Sequence, residues 1–456
     1  MSPTKFLQVS FSWDNNKRQA LFKVIKYVFS QPGKVVNPAR LYYMKINFSA
    51  QPKQKSFPLA SALTVIYNKH ITDFSEEKNM KFIHLSDLHI GKRVNEFSMT
   101  EDQKHILSEI AGIVKRVMPD AVIIAGDVYD KTVPPAEAVQ IFDDFLHSLK
   151  EAGVKVFVIS GNHDSPERIA FGSRIMQPCG IYMSQVYDGT LEPIILNDEF
   201  GEVAVYMLPF IKPLHVRKFF PDAVLESYTD AIRTALDAAK VDTGRRNVLI
   251  THQFITGASR SESEEISVGG SDNVDVSVFD LFDYVALGHI HGAQSVGRDT
   301  VRYCGTPLKY SFSEAGQEKS VTVVELSHKG KCKIDEIPLT PLRDMRKVRG
   351  EFSELISGRK TEDYMQLTLT DEDDIPDAVN KLRSVYPNLM SLNYDNTRTR
   401  HSESVRAIEE IKNKEPIELF AEFFAKQNGA DMSEEQYSFA KKLFESISDS
   451  GEERMQ

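Results

Sequence analysis

From Met80 onward the sequence predicts a layered α/β protein, and three observations carry that expectation. Short apolar runs of strand length recur at Lys81–Leu85, Ala121–Ala125, Val154–Ile159, Val203–Leu208, Asn247–Ile250 and Tyr284–Leu287. Amphipathic helical patterns fill the gaps between the first three. Acidic, imidazole and amide side chains follow directly on the strand ends, where open α/β sheets gather their functional loops.

Residues 1–79 read differently. They carry 12 Lys and Arg against 4 Asp and Glu, are interrupted at Gln31-Pro32 and Pro52-Lys53-Gln54, and keep no sustained helical or strand period. Two readings stand: an upstream or poorly ordered extension before a biological start at Met80, or a small appended helical segment around Ala20 to Ser30. In the body, helices are expected over Thr100–Val117 and Pro135–Ala152, the second closed by Gly153 at the position that favours glycine. The later runs Val301–Cys304, Ser320–Glu325 and Lys333–Pro338 lack intervening helices, so the sheet is expected to finish antiparallel.

After Thr340 the character shifts. A basic cluster, Arg343, Arg346, Lys347 and Arg349, precedes a strand at Tyr364–Leu369 and a helix at Ile375–Tyr386, which predicts a small α+β module. The polar stretch Asn396–Ser404 reads as a linker. Two amphipathic helices close the chain: Pro416–Gln427, with Ile417, Phe420 and Phe424 on one face, and Ser433–Ile447, with Tyr437, Ala440, Phe444 and Ile447 on one face. Ser433-Glu434-Glu435-Gln436 fits a capping box. The expected division is therefore an extension (1–79), a catalytic domain (80–339), an α+β cap (340–400) and a linker with a helical hairpin (401–456).

Composition sets outer limits. The chain of 456 residues, 41% hydrophobic and 26% charged, holds no apolar run near the roughly 20 residues that span a bilayer. No charged start followed by an apolar segment and a cleavage site is visible, so the expected location is the cytoplasm and no membrane role is expected. Cys179, Cys304 and Cys332 are widely spaced and odd in number, which speaks against a disulfide framework or a thiolate zinc site. The formal charge of -10 hides +8 on residues 1–79 and -18 on the rest. Such an acidic body is not the electrostatic footprint of a protein that grips nucleic acid unaided.

The strand ends carry the chemistry. Asp87-Leu88-His89 follows the first strand, Gly126-Asp127 the second and Gly161-Asn162-His163-Asp164 the third; Thr251-His252-Gln253 and Gly288-His289-Ile290-His291 follow later ones. Two divalent ions a few ångströms apart need a bridging carboxylate, neutral imidazoles and open positions for water and phosphate. Asp127 is the expected bridge, with Asp87, His89 and His291 on one ion and Asn162, His252 and His289 on the other. An extended backbone at Asp87–His89 would aim alternate side chains at a common face. Gly126, Gly161 and Gly288 would let the chain turn sharply beside the metals.

The ordered set D-x-H, G-D-x-x-D, G-N-H-D, a later His and G-H-x-H resembles the calcineurin-like metallophosphoesterase superfamily over residues 80–310, with its layered sheets flanked by helices. Within it the chain is similar to the SbcD family of exonuclease subunits. The strings that carry this are Ile83-His84-Leu85-Ser86-Asp87-Leu88-His89-Ile90-Gly91-Lys92, Gly126-Asp127-Val128-Tyr129-Asp130, Tyr303-Cys304-Gly305-Thr306-Pro307-Leu308 and Pro341-Leu342-Arg343-Asp344-Met345-Arg346.

The resemblance implies a manganese-dependent nuclease, with magnesium the alternative ion. It would cut double-stranded DNA ends and hairpins in repair and recombination, as a homodimer joined to a large SbcC-like coiled-coil ATPase that uses the ATP. It further implies that His163 contacts the scissile phosphate and serves the leaving oxygen, with Asp164 orienting it. Asp130 is either an outer partner of the metals or a cap on the turn before Pro134. The module after Thr340 resembles a DNA-recognition cap, and the tail hairpin resembles helices that dock on the ATPase. From the residues alone, the tail's aromatic faces fit either a partner groove or packing on their own cap, and the Arg343–Arg349 cluster either meets phosphates or is a solvated face. The rival functions are another phosphoesterase, acting on a monoester, a cyclic nucleotide or a phosphoprotein, and an inactive scaffolding subunit.

Overall fold

In the computed structural model, which describes residues 79–264, 272–397, 416–428 and 431–453, two six-stranded sheets stack face to face. The first runs β14 (Cys332–Pro338), β13 (Ser320–Leu326), β1 (Met80–Leu85), β4 (Ala121–Ala125), β5 (Lys155–Ile159), β6 (Ile181–Met183). Its members β1, β4, β5 and β6 are parallel, while β13 and β14 add on antiparallel. The second runs β11 (Gln294–Val296), β12 (Arg298–Tyr303), β10 (Tyr284–Gly288), β9 (Arg246–His252), β8 (Gly201–Leu208), β7 (Ile194–Asp198). A short hairpin, β2 (Arg93–Val94) with β3 (Phe97–Ser98), lies between β1 and the first helix.

The expected antiparallel finish holds for β13 and β14 but not for the strand before Cys304. That strand, β12, runs parallel to β10 in the second sheet. The two-step hairpin of β11 with β12 reverses the chain without a helix, so a missing crossover helix did not mean an antiparallel partner.

Period-two alternation builds the layers. Phe82, Ile123, Phe157 and Ile159 meet Val203, Val205, Val248, Ile250 and Ala286 between the sheets. Their neighbours Ile83, Val122, Ile124, Val156 and Val158 face outward onto α1 (Thr100–Val117) and α2 (Ala136–Glu151). Both helices bury one stripe at three- and four-residue spacing, Ile106, Ile110, Ile113 and Val114 in α1 and Ile141, Phe142, Phe145 and Leu149 in α2. Helix α1 ends where Met118 enters the left-handed region, and the chain after α2 turns at Gly153, φ +76°. On the far side, Ala204, Leu249 and Val285 pack on Ala231, Ile232 and Leu236 of α3 (Tyr228–Ala238), giving four layers in all. Helix α3 is absent from the expected elements, although Ser227 and Asp230 form its capping box.

Beyond Thr340 lies a separate three-stranded parallel sheet, β15 (Met345–Gly350), β16 (Tyr364–Leu369), β17 (Leu389–Tyr394), crossed by α4 (Phe352–Ile356) and α5 (Ala378–Arg383) around its own core. Arg343 is engaged in internal ion pairs rather than standing as a solvated charge. Its Nε donates to Asp102 Oδ1 at 3.1 Å and its terminal nitrogen pairs with Glu101, while Tyr364 Oη donates to Asp102 Oδ2 at 2.7 Å. A fully buried aspartate at the start of α1 thus needs the arginine as counter-charge and anchors this sheet. Arg346 stays 60% exposed, paired with Asp363 at 2.9 Å.

Asn396, expected in a linker, is buried and donates to the Asp371 carbonyl; most of the expected linker, and residues 1–78 with both readings of them, lie outside the described residues. At the tail, α6 (Pro416–Asn428) and α7 (Glu434–Glu453) form, and the Ser433–Gln436 capping box makes both reciprocal bonds at 2.9 and 3.2 Å. Phe420 and Phe444 pack edge to face, their centroids 5.6 Å apart, so these expected partner-facing rings spend part of their surface on each other. Among the large apolar side chains described in this hairpin, Phe423, Phe439 and Leu443 are the most exposed, at 58%, 71% and 50%. Among the described residues no helix is long and apolar enough to cross a membrane, and all three cysteines are free.

The two sheets approach closely where β4 and β10 end. A Cβ on Gly288 would stand 1.9 Å from the Ala125 carbonyl oxygen, and one on Gly161 would stand 2.1 Å from Asp127 Oδ1. Only Gly126 of the three expected turn glycines takes the left-handed backbone, φ +89°; the other two serve close approach. Gly288→Ala is expected to destabilise the metal-free protein by about 3 kcal/mol in urea unfolding, because backbone rather than a movable side chain opposes the methyl. A change within about 0.5 kcal/mol, typical of an open surface site, would contradict this packing.

Candidate metal centre

The loop after β1 is strained rather than extended. Asp87, His89 and Gly91 take φ values of +52°, +44° and +93°, and Asp127 and His289 are also positive, at +47° and +99°. Left-handed backbone costs a non-glycine residue roughly 1–2 kcal/mol, so surrounding bonds must hold it. They are present: Asp87 N–H donates to Gly126 O at 3.0 Å, His89 N–H to Asp127 O at 3.0 Å and Ile90 N–H to Val128 O at 2.9 Å. From α1, Gln103 Nε2 donates to His89 O at 2.7 Å and its Oε1 accepts from Gly91 N–H at 3.0 Å, while Tyr310 Oη donates to Leu88 O at 2.5 Å. The expected common face at Asp87 and His89 therefore arises from alternate left-handed residues, not from pleating.

All seven expected ligands converge. The donor atoms of Asp87, His89 and His291 lie within 4.8 Å of one another, as do those of Asp87, Asp127 and His252. Asn162 Oδ1 is 3.0 Å from both His252 Nε2 and His289 Nδ1, which brings the other expected set together. Asp127 Oδ2 lies between the sets, 3.8 Å from His89 Nε2 and 3.3 Å from His252 Nε2, while Oδ1 accepts the His163 N–H at 2.9 Å. Asp87 also approaches the second set, 3.9 Å from His252 Nε2, and both its oxygens accept the His289 N–H.

This donor set fits a pair of divalent cations. His252 Nδ1 must donate to the Ala125 carbonyl, 2.8 Å away, which turns Nε2 toward Asn162 and Asp127. His89 Nε2 and His291 Nε2 are 3.2 Å apart, and His289 Nε2 and His89 Nδ1 are buried without hydrogen-bond partners. Oxygen and nitrogen lone pairs crowded out of water need positive charge among them. The protonation pattern says the same. Burial pushes His89 and His289 well below the usual imidazole range and raises Asp87. Burial also opposes a charged ring at His252, but the Asp127 carboxylate outweighs it and lifts that ring to about 9. Against burial, His252 and His163 hold Asp127 well below the carboxylate range.

The remaining expected site residues divide differently from the sequence reading. The oxygens of Asp164, expected to orient His163, accept backbone N–H groups from Val128, Tyr129 and Gly161 at 3.1, 3.0 and 2.9 Å, tying two ligand loops together. Burial and the nearby Asp127 nonetheless push it up to about 6. His163 Nδ1 donates to the Asp130 carbonyl at 3.1 Å. The Asp130 carboxylate pairs with Lys92 Nζ at 2.7 Å and lies 3.8 Å from His89 Nδ1, so the outer-partner alternative describes it better than a turn cap. Arg343 and Arg346 are engaged in the pairs already described. Gln103, Tyr310, Ser263, Glu264, Glu314 and Lys319 also support the centre and were missed. None sits next to the ligand it supports or in a spacing that marks it; the nearest, Gln103, is 14 residues from His89.

A family model for calcineurin-like phosphoesterases matches residues 80–293, and one described as a type 5 capsule protein repressor C-terminal domain matches residues 341–428. The chain is 32% identical over 378 residues to the D subunit of nuclease SbcCD from Staphylococcus epidermidis, covering 81% of this chain and 99% of that protein. Among solved structures it resembles a dimetal phosphatase from Danio rerio, at 11% identity and TM-score 0.36 over 58% of this chain and 99% of that one. A protein of Thermus thermophilus gives 13% identity and TM-score 0.33, over 57% and 99%.

Because His252 carries a proton up to about 9 in the metal-free protein, a cation that takes Nε2 must displace it. Mn²⁺ binding near neutral pH is expected to release a proton, and affinity should climb as pH rises toward that value and then level. Titration calorimetry in two buffers of different ionisation enthalpy reads this; a buffer-independent heat would contradict it.

Proposed function

The chain belongs to the family of nuclease SbcCD D subunits, and from that premise we propose that it is the DNA nuclease subunit of a cytoplasmic complex with an SbcC-like coiled-coil ATPase. It hydrolyses phosphodiester bonds at double-stranded ends and hairpins, using two divalent ions and leaving ATP to its partner. The observation that carries the chemistry is the confluence of Asp87, His89, Asp127, Asn162, His252, His289 and His291, with Asp127 Oδ2 between two histidine sets. The observation that carries the substrate is the identity to a nuclease subunit along nearly that protein's whole length.

Asp87, His89 and His291 would hold one ion and Asn162, His252 and His289 the other, with Asp127 shared; manganese is the preferred ion and magnesium the alternative. When bound, the pair supplies Lewis acidity to the phosphate and to the attacking water. The protein's own part centres on His163. Its Nδ1 proton is committed to the Asp130 carbonyl at 3.1 Å, which leaves Nε2, 4.0 Å from Asp127 Oδ2, to meet the phosphate and share a proton with the leaving oxygen. The side chain is 18% exposed where the ligand imidazoles are buried, as a substrate-contacting group requires. Asp130 positions it, and Lys92 Nζ, 2.7 Å from the Asp130 carboxylate, holds that side chain in place.

The module at 340–400 would act as the DNA-recognition cap, with exposed Arg346 in place of the internally paired Arg343. The hairpin in 401–456 would dock on the ATPase through Phe423, Phe439 and Leu443, which remain exposed after the hairpin packs on itself. A homodimer is part of the same reading, and the exposed Phe171 and Ile175 are side chains such a contact would cover.

The test uses the full chain with its ATPase partner, Mn²⁺ and an end-labelled DNA hairpin. Wild type is expected to cut in a metal-dependent manner, and His163→Leu to lose about 10²-fold or more of the rate while still binding Mn²⁺ in calorimetry. Cleavage unchanged in that variant would remove His163 from the mechanism; no cleavage by wild type would remove the nuclease assignment.

A further inference from the structure

We propose that Ser263 is a positioning residue of the metal centre: its hydroxyl links the buried Glu314–Lys319 pair to His291 and fixes that ring with its Nε2 lone pair toward Asp87 and His89. The inference rests on the two-ion reading above and adds to it a residue outside the ligand set.

Protons, counted one by one, fix the arrangement. Glu314 Oε1 is 3.7 Å from His291 Nδ1, too far for a hydrogen bond. Ser263 Oγ fills the gap, 2.6 Å from Nδ1 and 2.5 Å from Oε1. Glu314 is fully buried, and its other oxygen meets Lys319 Nζ at 2.6 Å. That ammonium also reaches Thr306 Oγ1, Gln317 Oε1 and the His291 carbonyl at 2.8, 2.9 and 2.9 Å. With the Lys319 ammonium on one oxygen and the Ser263 hydroxyl on the other, Glu314 serves as the acceptor in both contacts.

A serine hydroxyl has one proton and two lone pairs. Its proton goes to Glu314, so its lone pairs must accept, one from His291 Nδ1–H and one from Ser261 Oγ at 2.8 Å. His291 is therefore protonated on Nδ1, and a neutral ring then offers Nε2 as the ligating atom. The backbone is gripped as well: Glu264 Oε1 accepts the His291 N–H at 2.7 Å and Oε2 accepts the Ser261 N–H at 2.8 Å. The segment Ser261–Glu264 so holds both ring and main chain of one ligand. Its start is fixed by Arg260, which lies over the Phe254 ring at 3.5 Å and forks onto Asp272 at 3.1 and 3.0 Å.

The interposed hydroxyl has an electrostatic purpose. A ligand imidazole commonly donates its second N–H to a carboxylate, which orients it and strengthens the ligand. Here the carboxylate carries its own ammonium, so the support adds no net charge to a centre that already holds Asp87 and Asp127.

Mn²⁺ is titrated calorimetrically into the metal-free full chain, as wild type, Ser263→Ala and Ser263→Thr, with the thermal midpoint of each recorded without metal. Wild type is expected to bind two ions. Ser263→Ala should bind one of them about 10-fold or more weakly, the usual effect of losing such a partner, with its metal-free midpoint little changed; Ser263→Thr, which keeps the hydroxyl, should restore the affinity. Ser263→Ala binding both ions as wild type does would overturn the proposal, and so would a loss that threonine fails to restore. Wild type binding no Mn²⁺ would instead sink the two-ion reading and this inference with it.

Discussion

Two carboxylates and four imidazoles buried together at the ends of two stacked sheets are the constraint on which the rest of this structure depends. Asp87, Asp127, His89, His252, His289 and His291 are each less than 9% exposed, and burying unpaired charge or unsatisfied polar atoms at such density is costly. The fold meets that cost in two ways. Without metal, the His252 imidazolium and backbone N–H groups offset the carboxylates; the proposed cations would do so more completely. Everything around the centre keeps the donors from relaxing apart. Left-handed backbone at Asp87, His89, Asp127 and His289 aims them inward, and glycines at Gly161 and Gly288 let the loops touch.

The supports come from every layer. Gln103 and Tyr310 brace the first ligand loop, Asp164 ties the second to the third, and Ser263 with Glu264 braces His291. The first turn of α1 has two tasks in adjacent residues: Gln103 holds the His89 loop and Asp102 holds Arg343 and Tyr364 of the small parallel sheet. A displacement of that sheet would therefore pull on the same turn that braces the metal ligands. Ligand loops and small sheet are joined mechanically through a buried carboxylate that tolerates neither partner's loss.

Much of this was legible in the sequence because it is written in local patterns. Strand periodicity, helix stripes and the DxH, GDxxD, GNHD and GHIH groups are all short-range signals, and the structure brings all seven ligand candidates together. What was not legible depends on contacts distant in the chain. Arg343 read equally as a phosphate contact or a solvated charge, because its partner Asp102 lies 241 residues earlier. Asp164 sits beside His163 in sequence, yet its carboxylate turns back to Val128 and Tyr129. The partner sheet of β12 follows from a hairpin, not from its composition. His84 makes the same point from the other side: a histidine in the first motif, it is packed between the sheets on Tyr284 Oη at 2.9 Å, and burial with the field of Arg302 pushes it down to about 3. Its type and position alone do not separate it from His89.

The central claim is that this crowded set of donors holds two divalent ions with Asp127 between them. Anomalous diffraction at the manganese edge, from crystals of the full chain grown with Mn²⁺, tests it most directly. The account predicts two peaks about 4 Å apart, one against Asp87, His89 and His291, the other against Asn162, His252 and His289, with an Asp127 oxygen touching both. A single peak, or two peaks without Asp127 between them, would contradict it.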